Sequence, residues 1–255
     1  MMFTHIKQGG FSLIELAIVL VIVALLSGGL MMTLSAQQDG MATSETQRRM
    51  QEAQEALLGY VAANGRLPCP ASPGTTGNES PLGGGLCTHP RTGFLPAITL
   101  GLTPTDPNGY LLDGWNNPIR YAVSTYSHAT FCPNGCFTTS NGMRNVWNGS
   151  VGALLLAPDL QVCNSGVNIQ NPGALTASCA PSTELATNAV IVIFSRGQNG
   201  ATAPVSTDEQ ANGDDDRLFV SHPPTAAGPN TFDDLVTWIS PNILYNRLIA
   251  AGRLP

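Results

Sequence analysis

An apolar segment near the N-terminus constrains this chain more than any other feature. Between Phe11 and Leu34 the sequence contains a single charged residue, Glu15. A run of this length is sufficient for a helix of about 20 residues, which is the length that crosses a bilayer. The sequence therefore predicts that residues 11–36 form the transmembrane part of an N-terminal helix.

The small residues around this segment distinguish it from a secretory signal peptide. A signal peptide carries its small-residue cleavage site after the apolar run. Here Gly9 and Gly10 precede the run, and no A-x-A-like site follows it. A cut after Gly10 would leave the whole apolar helix on the mature protein and would create a free amine at Phe11.

The seven residues from Gly10 to Leu16, GFSLIEL, closely resemble the prepilin peptidase site of type IV pilins and type II secretion pseudopilins. The resemblance implies a leader peptide at residues 1–10, cleavage between Gly10 and Phe11, and N-methylation of Phe11 by a prepilin peptidase/methyltransferase. It further implies a structural subunit, a minor pilin or pseudopilin, that assembles with other such subunits on an inner-membrane platform. No enzymatic activity is expected.

Glu15 has a physical role that can be argued without the family. A carboxylate inside a membrane span is costly and usually has a partner or a function. The Phe11 ammonium of a neighbouring subunit would be such a partner, which makes Glu15 the assembly residue. The alternative is that Glu15 reaches the membrane interface through its flexible side chain.

Composition and cysteine usage describe the rest of the chain. The sequence has 11 Lys and Arg against 17 Asp and Glu, so a broad basic face for nucleic acid is not expected. Six cysteines follow the anchor, and their even number in an exported chain indicates disulfides. The sequence-nearest pairing is favoured, because each bond would pin one Gly/Pro-rich loop: Cys69–Cys87, Cys132–Cys136 and Cys163–Cys179. Together with the resemblance, this places a single-pass protein in the inner membrane with a periplasmic head.

The predicted fold class is α+β, a pilin-like arrangement in which a long N-terminal helix packs on an antiparallel β-sheet head. Residues 37–64 carry an apolar stripe at helical spacing, which predicts an amphipathic continuation of the helix. Residues 65–255 form the loop-rich head, with a short C-terminal helix after Ser240-Pro241. Short apolar runs between turn residues predict the strands, at residues 119–123, 151–157, 189–194, 218–220 and 232–239.

Two segments of the head extend the resemblance. Residues 113–121, DGWNNPIRY, look like the D-x-W-G-N-P-x-x-Y segment of pseudopilins, with Asn116 in place of the usual glycine. Residues 194–200, FSRGQNG, look like their Y-S-x-G-x-D-G turn. In the major pseudopilins the loop after this turn binds calcium, which implies a set of candidate ligands here: Asn199, Asp208, Asp214, Asp215 and Asp216. The alternative is a solvated acidic turn.

Other functional classes remain open or find little support. The cysteine-stapled loops and the size of the head leave a pilus-tip adhesive or binding module as the alternative function. The sequence carries no G-x-S-x-G, H-E-x-x-H or Walker motif. Cys132 and Cys136 could form a redox pair, although a structural staple is favoured. Whether the subunit serves type II secretion, a type IV pilus or a competence pseudopilus is not decided by the sequence.

Overall fold

The computed structural model describes residues 12–149, 156–204, 206–225 and 231–254, and for residues 27–36 it describes the backbone alone. The chain divides into two compact units, with the boundary between Ala42 and Thr43. The element order is α1 Leu13–Asn64, α2 Ala97–Leu100, β1 Arg120–Val123, α3 Gly142–Gly149, β2 Leu160–Cys163, β3 Glu184–Ala189, β4 Ile191–Ser195, α4 Thr207–Ala211, β5 Leu218–Val220, β6 Leu235–Ile239 and α5 Pro241–Ala250. The α+β fold class is thus confirmed.

Helix α1 spans 52 residues, so the predicted long N-terminal helix is present. At its start the side chain of Ser12 accepts a hydrogen bond from the backbone N–H of Glu15, at 3.2 Å. This is the bond by which an N-cap serine satisfies one of the free donors of a first turn. At the other end Gly65 has a positive φ of 68°, and its N–H donates to the Val61 carbonyl at 2.8 Å. Glycine adopts this left-handed conformation without strain, which is why the helix ends there.

The large apolar side chains between Leu13 and Leu26 of α1 are exposed on all sides. From Leu13 to Leu26 their exposed fractions range from 50% to 89%. Within the described residues, no helix combines the length and the apolar character needed to cross a membrane. The predicted transmembrane segment at residues 11–36 includes Phe11 and the side chains of residues 27–36, which the structure does not describe. The membrane anchor therefore stays a prediction.

In the second unit, the part of α1 that follows Thr43 packs into the main hydrophobic core. Met50, Ala53, Leu57 and Val61 are at most 3% exposed, which confirms the stripe that helical spacing predicts. The same core contains Tyr121 of β1 and residues of β4, β6 and α5. The amphipathic half of the helix is therefore an integral part of the head.

In the described part of the head, the strands form two three-stranded sheets. The first has the strand order β1-β4-β6 and is antiparallel throughout. The second has the order β3-β2-β5, and its β2–β5 pair is parallel. The expectation of purely antiparallel pairing is therefore wrong for this one pair. A parallel pair requires a long crossover connection, and the segment between Cys163 and Leu218 supplies it.

Strand β4 joins the two sheets because both of its faces are buried. Ile191 and Ile193 belong to the core that contains α1, whereas Val192 and Phe194 pack against Leu160, Val162 and Phe219 of the second sheet. Its continuous apolar sequence is typical of a strand with no solvent face.

The structure confirms some of the other sequence predictions and differs from the rest. Strands β2 and β3 were not predicted, and the strand expected at 151–157 lies mostly outside the described residues. Helix α5 begins at Pro241 as predicted, but the Ser240 side chain makes no capping hydrogen bond. Three disulfides close loops of the head, and their pairing is the sequence-nearest set: Cys69–Cys87, Cys132–Cys136 and Cys163–Cys179.

Leu57 provides a test of how α1 contributes to the head. Replacing it with alanine is expected to lower the free energy of unfolding by about 2–5 kcal/mol, because the side chain is fully buried and a cavity would remain. Urea unfolding of the full chain in detergent micelles measures this loss. Gln51→Ala, an exposed position on the same helix, is the matched control and should change stability by less than about 0.5 kcal/mol. Equal effects of the two substitutions would contradict the packing.

Candidate functional site

The N-terminal candidate residues lie only partly within the described structure. Gly10 and Phe11 lie outside it, so cleavage and methylation there stay predictions. Glu15 lies in the first turn of α1, where the positive end of the helix dipole favours an acidic side chain. Its neighbours Leu13, Ile14 and Leu16 are exposed, so the carboxylate sits on an otherwise apolar surface.

The two segments that resemble pseudopilin motifs contact each other in the head. Asp113 is 1% exposed, and one of its carboxylate oxygens accepts the N–H groups of Trp115 and Asn117 at 2.9 and 2.8 Å. Its second oxygen accepts the Ser195 hydroxyl at 2.6 Å. The Asn117 amide donates to the Gly197 carbonyl at 2.7 Å. These bonds fix the loop at 113–118 to the turn that follows β4.

The same loop is also bound to helix α1. The Arg49 guanidinium donates to the carbonyls of Leu112 and Asp113 at 2.7 and 3.0 Å, and Gly114 N–H donates to the Thr46 hydroxyl at 2.8 Å. Asn116 has a positive φ of 66°. Asparagine is among the few residues that tolerate this conformation, which explains why it can stand where the resembled family has glycine.

The five candidate calcium ligands are mostly occupied by other contacts. Asp208 accepts the Gly166 N–H and pairs with His222 at 3.1 Å. Asp216 accepts the N–H groups of Gly173 and Leu218 at 2.9 and 2.7 Å. Asp215 is exposed. Asp208 and Asp216 thus use carboxylate oxygens for contacts within the protein, and calcium binding by these candidates stays a prediction.

Asp214 and Asn199 differ from the other candidates. One carboxylate oxygen of Asp214 is buried without a hydrogen-bond partner. Burial, and then the charges of Asp216 and Asp215, raise the pKa of Asp214 to about 6. Asn199 contacts two acidic residues outside the candidate set. Its side-chain amide donates to Glu209 at 2.8 Å, and its backbone N–H donates to Asp233 at 3.1 Å.

Within the described residues, the acidic side chains that converge are Glu209, Asp233 and Asp234, which we call the acidic cluster. One carboxylate oxygen from each lies within 4.8 Å of the others. Glu209 and Asp234 are only 2% and 3% exposed, and Asp233 is partly buried with one oxygen that lacks a partner. The cluster therefore presents hard oxygen ligands in a buried setting, which is the donor chemistry of a calcium site.

Local structure and turn geometry position this cluster. Ser206 accepts the Glu209 N–H at 3.1 Å and so starts α4, which carries Glu209. Asp233 and Asp234 immediately precede β6. Gly197 lies beside them with a positive φ of 59°, and a Cβ at this position would be 2.4 Å from the Asp233 carbonyl oxygen. Sequence reasoning missed the cluster because Glu209 and the Asp233-Asp234 pair are brought together only by the fold.

The cluster perturbs the acidity of its members. Burial raises the pKa of Asp234 to about 7; the Asn212 hydrogen bond opposes this shift, and the charges of Glu209 and Asp233 add to it. Burial also raises the pKa of Asp233. Such carboxylates are costly to ionise in the folded protein, and a cation among them would offset that cost.

Comparison with known proteins adds information for the N-terminus. Residues 6–31 match the family model described as "Prokaryotic N-terminal methylation motif". No curated protein and no solved structure gave a match. The chain is thus an α+β protein that carries the prepilin-type motif, which is the signature of type IV pilins and pseudopilins. The motif supports a type IV pilin-like or pseudopilin precursor.

The raised pKa of Asp234 gives a stability prediction with a defined sign. With chelator present, the folded protein binds more protons than the unfolded chain between about pH 4 and pH 7. The stabilising contribution of Asp234 to the free energy of unfolding should therefore be at its maximum below about pH 4. It should be lost as the pH rises to about 7. The loss should be on the order of 4 kcal/mol, since one pKa unit corresponds to about 1.4 kcal/mol. Denaturant unfolding at several pH values measures it.

Two variants isolate this effect from the other titrating groups. Asp234→Asn removes the titrating carboxyl group. The wild type should therefore lose stability relative to this variant as the pH rises. Asp215→Asn, an exposed carboxyl of the neighbouring loop, should follow the wild-type profile. A pH-independent difference between wild type and Asp234→Asn would contradict the prediction.

Proposed function

We propose that the chain is the precursor of a structural subunit, a minor pilin or pseudopilin, of a type IV pilus or a type II secretion pseudopilus. The observation that carries this proposal is the match of residues 6–31 to the N-terminal methylation motif. In the proposal, the prepilin peptidase/methyltransferase cuts between Gly10 and Phe11 and methylates Phe11. Residues 11–36 anchor the product in the inner membrane, and the head at residues 65–255 lies in the periplasm.

The exposed apolar surface of α1 supports this assignment. Large side chains from Leu13 to Leu26 are at least half exposed on every side of the helix. Contact of such a surface with water costs about 25 cal/mol per Å². Lipid in the membrane, and neighbouring helices in a filament, would remove this cost.

The proposed role of Glu15 follows from the same surface. It is the one charged residue between Phe11 and Leu34, and it lies in the first turn of α1. Cleavage after Gly10 creates an ammonium at Phe11, and methylation keeps that group basic. An ammonium from one subunit and the Glu15 carboxylate of the next would neutralise each other in an apolar surrounding, where an unpaired charge is costly.

Processing is tested by mass spectrometry of the membrane-extracted protein from cells that carry the prepilin peptidase. The wild type should begin at an N-methylated Phe11. Gly10→Val should retain its leader, because the peptidase site accepts little beyond the smallest side chain before the cut. An unprocessed wild type would contradict the proposal.

Glu15→Val separates processing from assembly. This variant should be cleaved and inserted like the wild type, but its recovery in sheared filaments or in crosslinks to other subunits should fall at least about tenfold. Glu52→Val, which removes one carboxylate from the second unit, is the matched control and should assemble normally. Wild-type incorporation of Glu15→Val would show that Glu15 only reaches the membrane interface.

We further propose that the head binds a calcium ion at the acidic cluster. Convergence of the Glu209, Asp233 and Asp234 carboxylates, with Asn199 beside them, supports this location. The ligand set implied by the resemblance includes Asp208, Asp214, Asp215 and Asp216 and stays a competing prediction. Both sets include Asn199 in the turn after β4. They differ in the carboxylates that would bind the ion.

Thermal melting of the full chain in detergent micelles distinguishes the two ligand sets. A ligand that binds only the folded state stabilises it by about 2.7 kcal/mol at a hundred times its dissociation constant. Glu209→Gln should abolish the rise in melting temperature caused by millimolar calcium and reversed by chelator, whereas Asp215→Asn should retain it. Loss in Asp214→Asn and Asp208→Asn, but not in Glu209→Gln, would favour the competing set. An unchanged wild-type melting temperature would contradict both.

A further inference from the structure

Two arginine side chains meet at a small cavity in the head. Arg120 begins β1 and pairs in register with Phe194 of β4, and Arg196 follows the end of β4. Residues two apart on a strand share a face, so the pairing makes Arg120 and Arg196 diagonal neighbours. They line a cavity of about 40 Å³ together with Thr92, Phe194, Asn212 and Gly213.

Arg120 is held in place by contacts that use only part of its hydrogen-bonding capacity. One guanidinium nitrogen donates to the Thr92 carbonyl at 2.8 Å. The guanidinium carbon lies 4.2 Å from the centroid of the Phe94 ring, and Phe94 in turn stacks on Tyr110. The side chain is therefore fixed in orientation, while most of its five N–H donors make no hydrogen bond to the described residues.

The described residues that line the cavity include no carboxylate. Within the described part of the chain, no carboxylate lies within ion-pair distance of Arg120 or Arg196. Burial lowers the pKa of Arg120, and the nearby charge of Arg196 lowers it further. The charge of Arg196 lowers the pKa of Asp234, which does not line the cavity and accepts a hydrogen bond from the lining residue Asn212 at 2.8 Å. The two guanidinium groups thus repel each other across a space that an anion could fill.

We propose that this cavity binds a carboxylate group through Arg120 and Arg196. A guanidinium presents its N–H groups as a planar fork that matches the two oxygens of a carboxylate. Thr92 also lines the cavity. A volume of about 40 Å³ accommodates a carboxylate but not a nucleotide or a sugar. The carboxylate is supplied either by a free small acid or by an Asp or Glu side chain of a second copy of this chain.

Side-chain NMR of the full chain in detergent micelles tests the proposal directly. Sodium acetate, added at constant ionic strength with sodium chloride, should shift the Nε–H signals of Arg120 and Arg196 in a saturable manner. Arg196→Gln should weaken acetate binding, read from Arg120, at least about tenfold, which corresponds to one lost charge-assisted hydrogen bond. Arg196→Lys keeps the charge but loses the fork, and should give a smaller loss.

Arg144→Gln is the matched control, because it removes the same charge from an exposed helix position outside the cavity. It should leave acetate binding unchanged. Arginine signals that do not respond to acetate, or equal weakening by Arg144→Gln and Arg196→Gln, would overturn the proposal. These readouts do not depend on leader cleavage or on filament assembly, so their failure is distinguishable from failure of the proposed function.

Sedimentation equilibrium of the same detergent samples identifies the source of the carboxylate. If the carboxylate belongs to a second copy, Arg196→Gln should weaken self-association at least about tenfold relative to Arg144→Gln. Equal association of the two variants, with acetate binding retained in the wild type, identifies a free small acid as the ligand.

Discussion

Burial of β4 on both faces is the constraint on which the head depends. Ile191 and Ile193 contact the core that contains α1, and Val192 and Phe194 contact the core shared with the second sheet. A polar side chain on either face would be left without solvent, and its burial without a hydrogen bond would cost several kcal/mol. The strand therefore sets the order of the layers: helix α1, first sheet, second sheet.

The turn at the end of β4 carries the polar features of the head. Ser195 binds Asp113, Gly197 accepts from Asn117, and Asn199 contacts two members of the acidic cluster. Arg196 faces the neighbouring cavity. The turn after the buried strand β4 thus brings the contacts to the loop at 113–118, the proposed cation site and the proposed carboxylate site into one region. The Arg196 charge is close enough to the acidic cluster to lower the pKa of Asp234 and so opposes part of the shift that burial causes.

The two units of the chain follow different physical rules. In the second unit, α1 residues such as Leu57 are buried against protein, and three disulfides close loops that have little core of their own. From Leu13 to Leu26 the large apolar side chains of α1 are exposed. The first pattern is that of a head stabilised by its own core, whereas the side chains from Leu13 to Leu26 are not buried against protein in the described structure.

The sequence by itself determined the features that depend on neighbouring residues. The prepilin-type motif, the stripe on α1, the continuous apolar run of β4 and the nearest-neighbour disulfides are all local, so composition and spacing suffice to predict them. Only the tertiary structure decided the parallel β2–β5 pair, the acidic cluster of Glu209, Asp233 and Asp234, and the meeting of Arg120 with Arg196. Each of these joins residues that are distant in sequence, and their proximity is set by how the buried strands pack.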